Sequence, residues 1–377
     1  MKIGIVTEYF FPTLGGILEN IYHMSKEFLR CGHDLRIITG YKKGFEDFDI
    51  EDEISKRIIH IGTTTSTFFN GSCGCVTSGL GLTKKMRKVF EEEKFDIIHL
   101  HSPIFPTLPM IANMQANAPL VATFHTCTGT GDHLLYKAFN KLLQSILDRI
   151  AGKIAVSNCC ALENKLFFDV NFNIIPNGVD VDWWTSNTHK IEKFDDGKIN
   201  ILYIGRPDSR NGLDTLINAF SIVHKEHPNT RLIIVGDGPL KFYFESLVPH
   251  NIKDAVHFEG AATDGRRDYM ATSHIHCFTP DVASFGITIL EGMSAGKAMI
   301  ASDIEAFKDL ITHEESALLV EPRNIDQHVH ALDRLIRDED LRISLGATAA
   351  RRVDHYDWKR IAKLHLEYYE KIIEETQ

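Results

Sequence analysis

Short apolar runs alternate along the whole chain with longer segments whose apolar residues recur at helical spacing. Two stretches open such a series with the same order of features. KIGIVTEYFFPTLGG (residues 2–16) is an apolar run, a loop ending in two glycines, and then a helical pattern over 18–29. INILYIGRPDSRNG (residues 199–212) repeats this order and leads into a helical pattern over 213–224. The repetition predicts two domains of the same kind.

Each half continues with further short apolar runs that are typical of buried strands between helices. In the first half we predict them at 34–39, 58–61, 96–100, 120–124 and 153–156. In the second half we predict them at 231–235, 255–258, 275–278, 298–301 and 317–320. Such runs favour parallel sheets covered on both faces, so the predicted fold class is α/β with two doubly wound, Rossmann-like domains. Each domain would bind its ligand at the carboxyl ends of its strands.

The domain boundary is predicted from a turn signal at 176–178, Pro-Asn-Gly, which a hydrophilic run over 185–198 follows. This gives a first domain over 1–176 and a second over 177–357. The amphipathic helical pattern over 358–377 is predicted to cross back onto the first domain.

Composition narrows the class of protein. The 377 residues include 44% hydrophobic and 24% charged residues, which is ordinary for a globular enzyme of two domains. A formal net charge of −10 argues against a general nucleic-acid binder. No run reaches the roughly 18 apolar residues of a membrane span, and the first residues indicate a buried strand rather than a signal peptide.

The cysteines and the acidic pairs suggest no metal or disulfide framework. Seven cysteines are scattered along the chain, and this pattern favours reduced thiols in a cytoplasmic protein. Cys73 and Cys75 have no matching Cys/His cluster at a useful spacing, so loop thiols are the better interpretation than a metal site. Asp180 and Asp182 form an Asp-x-Asp pattern, but their place in the interdomain turn favours a solvated linker.

The segment 280–303, PDVASFGITILEGMSAGKAMIASD, carries the strongest chemical signal. A polar loop through Ser284, Phe285 and Gly286 opens directly onto an apolar helix that begins near Ile287. A helix N-terminus presents free N–H groups and about half a positive charge, so it suits a phosphate. Glu291 is the only acid of that helix and is placed to accept from sugar hydroxyls. The arrangement predicts a site for a nucleoside diphosphate.

At this point the chain resembles glycosyltransferase family 4, whose members have the two-domain GT-B fold and retain configuration at the transferred sugar. The resemblance runs nearly from end to end and rests on the order of several short motifs. They are the Gly15-Gly16 loop, FDIIHLH (95–101), ATFHT (122–126), IPNGVD (175–180), NGLDTLINAF (211–220), VGDG (235–238) and SFGITILEGMSAG (284–296). Within the family the chain is most similar to the bacterial phosphatidylinositol mannosyltransferases, through FNGS (69–72), TKKMRK (83–88), SDIEAF (302–307) and HYDW (355–358).

The resemblance implies that the second domain binds a nucleotide sugar and that no metal ion or other cofactor is needed. Arg206 would clamp the diphosphate, and Arg210 would add a second guanidinium, although both could also be solvated loop residues. Backbone at Gly16 would approach the phosphates when the cleft closes. Glu291 would hold the ribose hydroxyls, and the loop 261–266 would frame the base.

The resemblance also places the acceptor on the first domain. His125 would contact the transferred sugar at the reaction centre, without acting as a general base, because the leaving phosphate oxygen takes the acceptor's proton. A buried core histidine is the alternative interpretation. Tyr9, Asn70 and Ser72 would line the acceptor pocket, while His99 and His101 would serve packing.

A basic run formed by Lys84, Lys85, Arg87 and Lys88 would meet anionic lipid in the resembling enzymes. A solvated helix face is the ordinary interpretation of such a run. The run makes an anionic membrane surface a candidate partner and places the protein at the inner face of the cell membrane.

Three positions depart from the family pattern. Where the resembling family has an acid eight residues before Glu291, this chain has Ala283. Where the family has a lysine just before the glycine of the 205–212 loop, this chain has Asn211, and Cys75 replaces the mannosyltransferases' arginine after FNGS. Arg210 is a candidate replacement for the lysine, and Asp281 for the acid. Each lost charged hydrogen bond would cost about 1.5–3 kcal/mol.

The leading hypothesis is a retaining glycosyltransferase that moves a hexose, with mannose from GDP-mannose as the first candidate, to a lipid-linked or polyol-phosphate acceptor. The alternative is a nucleotide-sugar-binding protein with weak or lost transfer activity, which Ala283 and Asn211 would explain. A dinucleotide-dependent oxidoreductase is disfavoured because neither half has GxGxxG after its first strand.

Overall fold

The computed structural model describes residues 1–69, 72–104, 107–127, 134–262 and 265–376. The chain forms two compact units. The first contains Met1–Asn177 together with Trp358–Gln377, and the second contains Gly178–Asp357. Each unit is an open α/β sheet with helices on both faces, which confirms the predicted fold class.

The first unit is built on an eight-stranded sheet in the order β4-β3-β2-β1-β5-β6-β7-β8. Its strands are β1 (Lys2–Val6), β2 (Asp34–Tyr41), β3 (Ile58–Phe69), β4 (Ser72–Ser78), β5 (Ile97–His101), β6 (Leu120–Phe124), β7 (Gly152–Ala155) and β8 (Asn173–Ile174). Its helices up to this point are α1 (Gly16–Arg30), α2 (Asp52–Ser55), α3 (Leu82–Glu93), α4 (Leu108–Gln115), α5 (Leu134–Asp148) and α6 (Asn158–Lys165).

One strand of this sheet departs from the prediction of purely parallel pairing. β3 and β4 form an antiparallel hairpin in which Thr63 pairs with Ser78 and Phe69 with Ser72. β3 is also much longer than the predicted run over 58–61. The predicted run ended where the sequence turns to threonine and serine, and these residues form strand here because the hairpin partner completes their hydrogen bonds.

The second unit is built on a six-stranded parallel sheet in the order β11-β10-β9-β12-β13-β14. Its strands are β9 (Ile199–Ile204), β10 (Thr230–Val235), β11 (Val256–Gly260), β12 (Ile275–Phe278), β13 (Ala298–Ser302) and β14 (Leu318–Val320). Its helices are α7 (Val181–Thr185), α8 (Leu213–Glu226), α9 (Lys241–Leu247), α10 (Arg266–Thr272), α11 (Ile287–Ser294), α12 (Ile325–Arg337) and α13 (Glu339–Val353). The strand order reverses between β9 and β12, as in other doubly wound sheets, where such a switch point is the usual place of ligand binding.

The last helix, α14 (Trp358–Thr376), belongs to the first unit. Its apolar face, including Ile361 and Tyr369, is buried in one core cluster with Ile21 and Phe28 of α1 and with the adjoining face of the first sheet. The opposite face of that sheet is covered by α3, α4 and α5. Both faces are therefore closed, and the polar groups of the first unit concentrate at the ends of its strands.

The cysteines do not all follow the prediction of reduced thiols. Cys127, just after β6, and Cys159, in the first turn of α6, form a disulfide with a Cα–Cα distance of 6.4 Å. The fold brings the two together because β6 and β7 are neighbours and α6 begins just after β7. Cys31, which is exposed, and Cys277, which is buried, are thiols as predicted.

Candidate active site

The loop through Ser284, Phe285 and Gly286 leads directly into α11, which begins at Ile287 without a side-chain cap from Gly286. The Ile289 N–H already donates to the Gly286 carbonyl at 3.0 Å, so helix geometry leaves only the amides of Ile287 and Thr288 without an intrahelical acceptor. Gly286 has φ 102°, and a Cβ there would lie 2.5 Å from the ring of Phe307, so only glycine fits. Phe285 is buried and packs edge-on against Tyr356 with ring centroids 6.3 Å apart. These contacts hold the loop and leave the helix start directed at the strand ends.

Glu291 is buried in the second turn of α11, with 4% of its side chain exposed. The Nη1 of Arg266, at the start of α10, donates to its Oε1 at 3.0 Å. Burial of a carboxylate is costly unless a partner compensates it, so this pair fixes where the acid points. Arg266 was expected only as the last residue of the loop 261–266 that would frame the base, and its ion pair with Glu291 was not predicted. Residues 263–264 of that loop lie outside the described residues.

The two predicted clamp arginines differ in their surroundings. Arg206, two residues after β9, is half exposed, and its Nη2 lies 3.7 Å from Asp208 Oδ2. Arg210 is partly buried, and within the described part of the chain its buried Nε has no hydrogen-bond partner. Both belong to one loop that Gly212 ends. A Cβ on Gly212 would lie 1.9 Å from the Thr279 carbonyl oxygen, so this loop packs directly against the end of β12.

Asn211 and Asp281, two residues linked to the departures from the family pattern, have structural roles. The Asn211 side-chain amide donates to the Arg206 carbonyl oxygen at 2.9 Å and so ties the loop to the residue it presents. Asp281 donates its backbone N–H to the Arg210 carbonyl at 2.7 Å. Its carboxylate pairs with Arg323, whose Nε lies 2.8 Å away. Asp281 is therefore engaged, and the idea that it stands in for Ala283 is not favoured by this geometry.

His125 of the first unit directly follows β6 and is buried. Its Nε2 lies 2.8 Å from Nδ1 of His101, the last residue of β5, and the two rings stack. A neutral histidine has one N–H and one lone pair, so only one of the two rings donates in this bond. The protonation of His101 thereby sets whether the other nitrogen of His125 donates or accepts.

The histidine pair is part of a longer buried network. His99 Nε2 lies 2.7 Å from the Thr123 hydroxyl, and His99 Nδ1 lies 2.6 Å from the Tyr369 hydroxyl of α14. Burial lowers the pKa of His125 to about 3 and that of His365 to about 4. It also lowers the pKa of His99 and His101 well below the ordinary range. These rings are neutral at physiological pH. The sequence assigned His99 and His101 to packing, and it missed the direct contact of His101 with His125.

Glu8 is a second feature that the sequence missed. It follows β1, is 2% exposed, and accepts from the Leu108 backbone N–H at 2.7 Å. The Thr77 and Thr107 hydroxyls also donate to its carboxylate. Burial raises its pKa, and these hydrogen bonds oppose that rise. The carboxylate thus caps α4 and joins β1 to β4. A polar residue directly after a buried strand was the signal that could have identified it.

The predicted acceptor residues are only partly described. Tyr9 is half-buried, and its backbone N–H donates to the Thr7 hydroxyl at 2.9 Å. Ser72 begins β4, and its side chain, like Asn70, lies outside the described part of the structure. Gly16 is the first residue of α1, where Gly15 provides no side-chain cap. Asp180, part of the Asp-x-Asp pattern, caps α7 by accepting from the Trp183 N–H at 3.0 Å.

The basic run lies on the exposed face of α3, while Met86 and Phe90 of the same helix are buried. Arg87 donates to Gln115 at 2.8 Å, and Lys88 lies 3.6 Å from Glu92. Lys84 and Lys85 form no ion pair with any residue that the structure describes. Among those same residues, no helix combines the length and the apolar content needed to cross a bilayer.

Two sequence families together match almost the whole chain. Residues 14–183 match "Glycosyltransferase Family 4", and residues 185–352 match "Glycosyl transferases group 1". The chain therefore consists of a Glycosyltransferase Family 4 domain followed by a Glycosyl transferases group 1 domain. This confirms the predicted family, and each match coincides closely with one of the two compact units.

Members of this family with curated names are similar to the chain over nearly its full length. The phosphatidyl-myo-inositol mannosyltransferase of Mycolicibacterium smegmatis is 28% identical, over 99% of this chain and 94% of the relative. The phosphatidylinositol N-acetylglucosaminyltransferase GPI3 subunit of Saccharomyces cerevisiae is 25% identical, over 98% of this chain and 83% of the relative.

A solved structure supports the fold of this glycosyltransferase independently. Anabaena Alr3699/HepE, crystallised with UDP and glucose, superposes with a TM-score of 0.77. It is 18% identical and covers 98% of this chain and 99% of its own. At this identity the likeness shows the GT-B fold alone.

Proposed function

We propose that this glycosyltransferase transfers a hexose, with mannose from GDP-mannose as the first candidate, to a phosphatidylinositol-type acceptor. The observation that supports this most is the strand edge of the second unit. There an uncapped helix start, the Arg206 guanidinium and the buried Glu291 lie on neighbouring elements. A diphosphate needs the first two groups, and ribose hydroxyls suit the carboxylate.

In the proposed reaction the leaving diphosphate gains negative charge as the bond to the sugar breaks. The α11 amides and Arg206 stabilise that charge. Arg210 adds a second cation, and its Nε has no hydrogen-bond partner among the residues that the structure describes. The acceptor hydroxyl attacks on the face that the diphosphate leaves, and a phosphate oxygen takes its proton, so configuration is retained. His125 orients the transferred sugar as a neutral hydrogen-bonding group, because its lowered pKa of about 3 makes it a weak base. No metal ion takes part in these steps.

The lipid acceptor implies work at a membrane surface. The relatives that support such an acceptor are named for phosphatidylinositol substrates. The exposed cations of α3 would hold the protein at anionic lipid on the cytoplasmic side, at about 1 kcal/mol for each residue near the surface. Lys84 and Lys85 are the first candidates for this contact.

The direct test supplies the full chain with vesicles containing phosphatidylinositol and, separately, GDP-mannose, UDP-glucose and ADP-glucose. Mass spectrometry of the lipid is expected to show one added hexose from one of the donors. NMR of the product is expected to show that the hexose keeps the anomeric configuration that it has in the donor. The proposal would be contradicted if the chain bound these donors but formed no glycolipid with any of them.

A nucleotide-sugar-binding protein with weak transfer is the second candidate, because Ala283 replaces the family acid and Asp281 is engaged by Arg323. The double variant Ala283→Glu/Asn211→Lys decides between the two. A rise in turnover from near zero would favour the binding protein, whereas robust transfer by the wild type rules it out.

A further inference from the structure

Lys42 directly follows β2 and is held in an unusual way. Its Nζ donates to the hydroxyls of Thr13 and Ser66, each at 2.8 Å, and lies 3.9 Å from the Cys75 thiol. Two of these partners are hydroxyls, which carry no charge. Within the described ranges, no carboxylate lies within ion-pair distance of this ammonium, although it is partly buried.

The contrast with neighbouring cations of the same unit is clear. Lys26 pairs with Glu51 at 2.6 Å, and Arg36 pairs with Asp34 at 2.9 Å. A partly buried ammonium without a counter-charge gains strongly from an anion, because water screens the interaction less there than at the surface. The Thr13 and Ser66 hydroxyls can both accept from Lys42 and donate to an oxygen of the same anion. Ser66 is exposed, so the group is open to solvent on that side.

The contacts of Lys42 span the β3–β4 hairpin. Its ammonium lies against the sulfur of Cys75 in β4 and donates to the hydroxyl of Ser66, the β3 residue that pairs with Cys75. Thr13 comes from the loop between β1 and α1, so three separate segments converge on this point.

We propose that Lys42, with the Thr13 and Ser66 hydroxyls, binds the phosphate of an anionic acceptor head group. The ligand class is a phosphate mono- or diester carried by a polyol. This inference deepens the proposed function and rests on it for the acceptor's identity. The binding site itself depends only on the geometry around the ammonium.

The test compares Lys42→Met, which keeps the length of the side chain and removes its charge, with Lys42→Arg, which keeps the charge. Lys43→Met is the matched control, because Lys43 is the exposed neighbour. Calorimetry on the full chain uses myo-inositol 1-phosphate, inorganic phosphate and uncharged myo-inositol as probes. Lys42→Met is expected to weaken binding of both phosphate probes about ten- to hundredfold, while Lys42→Arg and Lys43→Met stay near the wild type.

Rescue makes the test specific. Lys42→Met/Cys75→Arg moves the cation to the contacting residue of β4 and is expected to recover phosphate binding. The melting temperature and donor affinity of Lys42→Met should match the wild type, which separates charge loss from misfolding. Lys42→Met that folds normally and binds the phosphate probes as tightly as the wild type would overturn the inference.

The two proposals can fail separately. If the transferase uses an acceptor other than phosphatidylinositol but phosphate binding still depends on Lys42, the anion site stands and the proposed acceptor falls. If phosphatidylinositol is glycosylated with an unchanged acceptor KM in Lys42→Met, the function stands and the Lys42 site falls.

Discussion

The strand edges of the two units hold polar groups in opposite ways. In the second unit the functional side chains are charged and already paired, Glu291 with Arg266 and Asp281 with Arg323. In the first unit the buried histidine pair at the ends of β5 and β6 is neutral, and one hydrogen bond joins His101 to His125. Ion pairs can exchange a partner for a charged substrate, whereas a buried neutral network fixes geometry and resists protonation. The edge of the second unit is thus suited to exchanging an ion pair for a charged ligand, and the histidine pair of the first unit to holding a neutral hydrogen-bonding group in one orientation.

Acid should expose this contrast most strongly. His125 and His365 have folded-state pKa values lowered to about 3 and about 4, so the unfolded chain binds more protons below its ordinary histidine pKa. The contribution of each histidine to the free energy of unfolding is therefore fully present above about pH 6.5. It is lost by about 1.4 kcal/mol per pH unit as the pH falls from there toward the pKa of that histidine in the folded chain. Glu8, whose pKa burial raises, opposes this as a single group. Urea unfolding at a series of pH values measures the slope.

Two variants sharpen the acid test. His365→Gln should reduce the slope by one proton, while His330→Gln, at an exposed position, should leave it unchanged. Equal slopes for the wild type and His365→Gln would show that the buried network does not control acid stability.

Removing the clamp charge of the second unit should have the next largest effect. Arg206→Ala is expected to lower kcat/KM for the donor about a hundredfold, since a charged hydrogen bond to phosphate contributes about 1.5–3 kcal/mol. Arg206→Lys should recover part of the loss. Arg351→Ala, which removes an exposed arginine of the same unit, is the control and should leave kcat/KM unchanged. Steady-state kinetics with the true donor decide, and unchanged turnover in Arg206→Ala would remove this residue from the site.

The histidine contact of the first unit should matter less. His101→Phe removes the bond to His125 and is expected to lower kcat about tenfold, the effect of roughly one hydrogen bond. His101→Asn keeps a polar group near the Nδ1 position and should restore most of the rate. NMR of ¹⁵N-labelled histidine should show the His125 tautomer change in His101→Phe, and a tautomer identical to the wild type would contradict the coupling.

The smallest effect is expected at Asn211. Asn211→Ala removes the amide that holds the Arg206 carbonyl at 2.9 Å and should cost about 0.5–1.5 kcal/mol of stability. Donor KM should rise only a fewfold, because the guanidinium remains. Asn218→Ala, an exposed change on α8, is the control in thermal unfolding. A loss as large as that of Arg206→Ala would mean that Asn211 binds the donor itself.

Much of the fold could be predicted because buried parallel strands are short apolar runs. The runs at 120–124 and 275–278 match β6 and β12 at both ends. The β3–β4 hairpin was missed because its threonine- and serine-rich strands depend on each other rather than on burial of apolar residues.

The places of candidate residues just after strands, such as His125 and Arg206, could be predicted from sequence for the same reason. Their partners could not. Arg266 and Glu291 are 25 residues apart in the chain, and Lys42 and Cys75 are 33 apart, so only the folded sheet brings each pair together. No local pattern records such a contact, and these pairs decide the charge of both strand edges.

A crystal structure of the full chain with the donor that it turns over tests the central claim most directly. The diphosphate is expected to accept hydrogen bonds from the first-turn amides of α11 and from the Arg206 guanidinium, with Glu291 at the ribose hydroxyls. A diphosphate bound at any other edge of the second unit, with Arg206 and the α11 amides still in water, would contradict it.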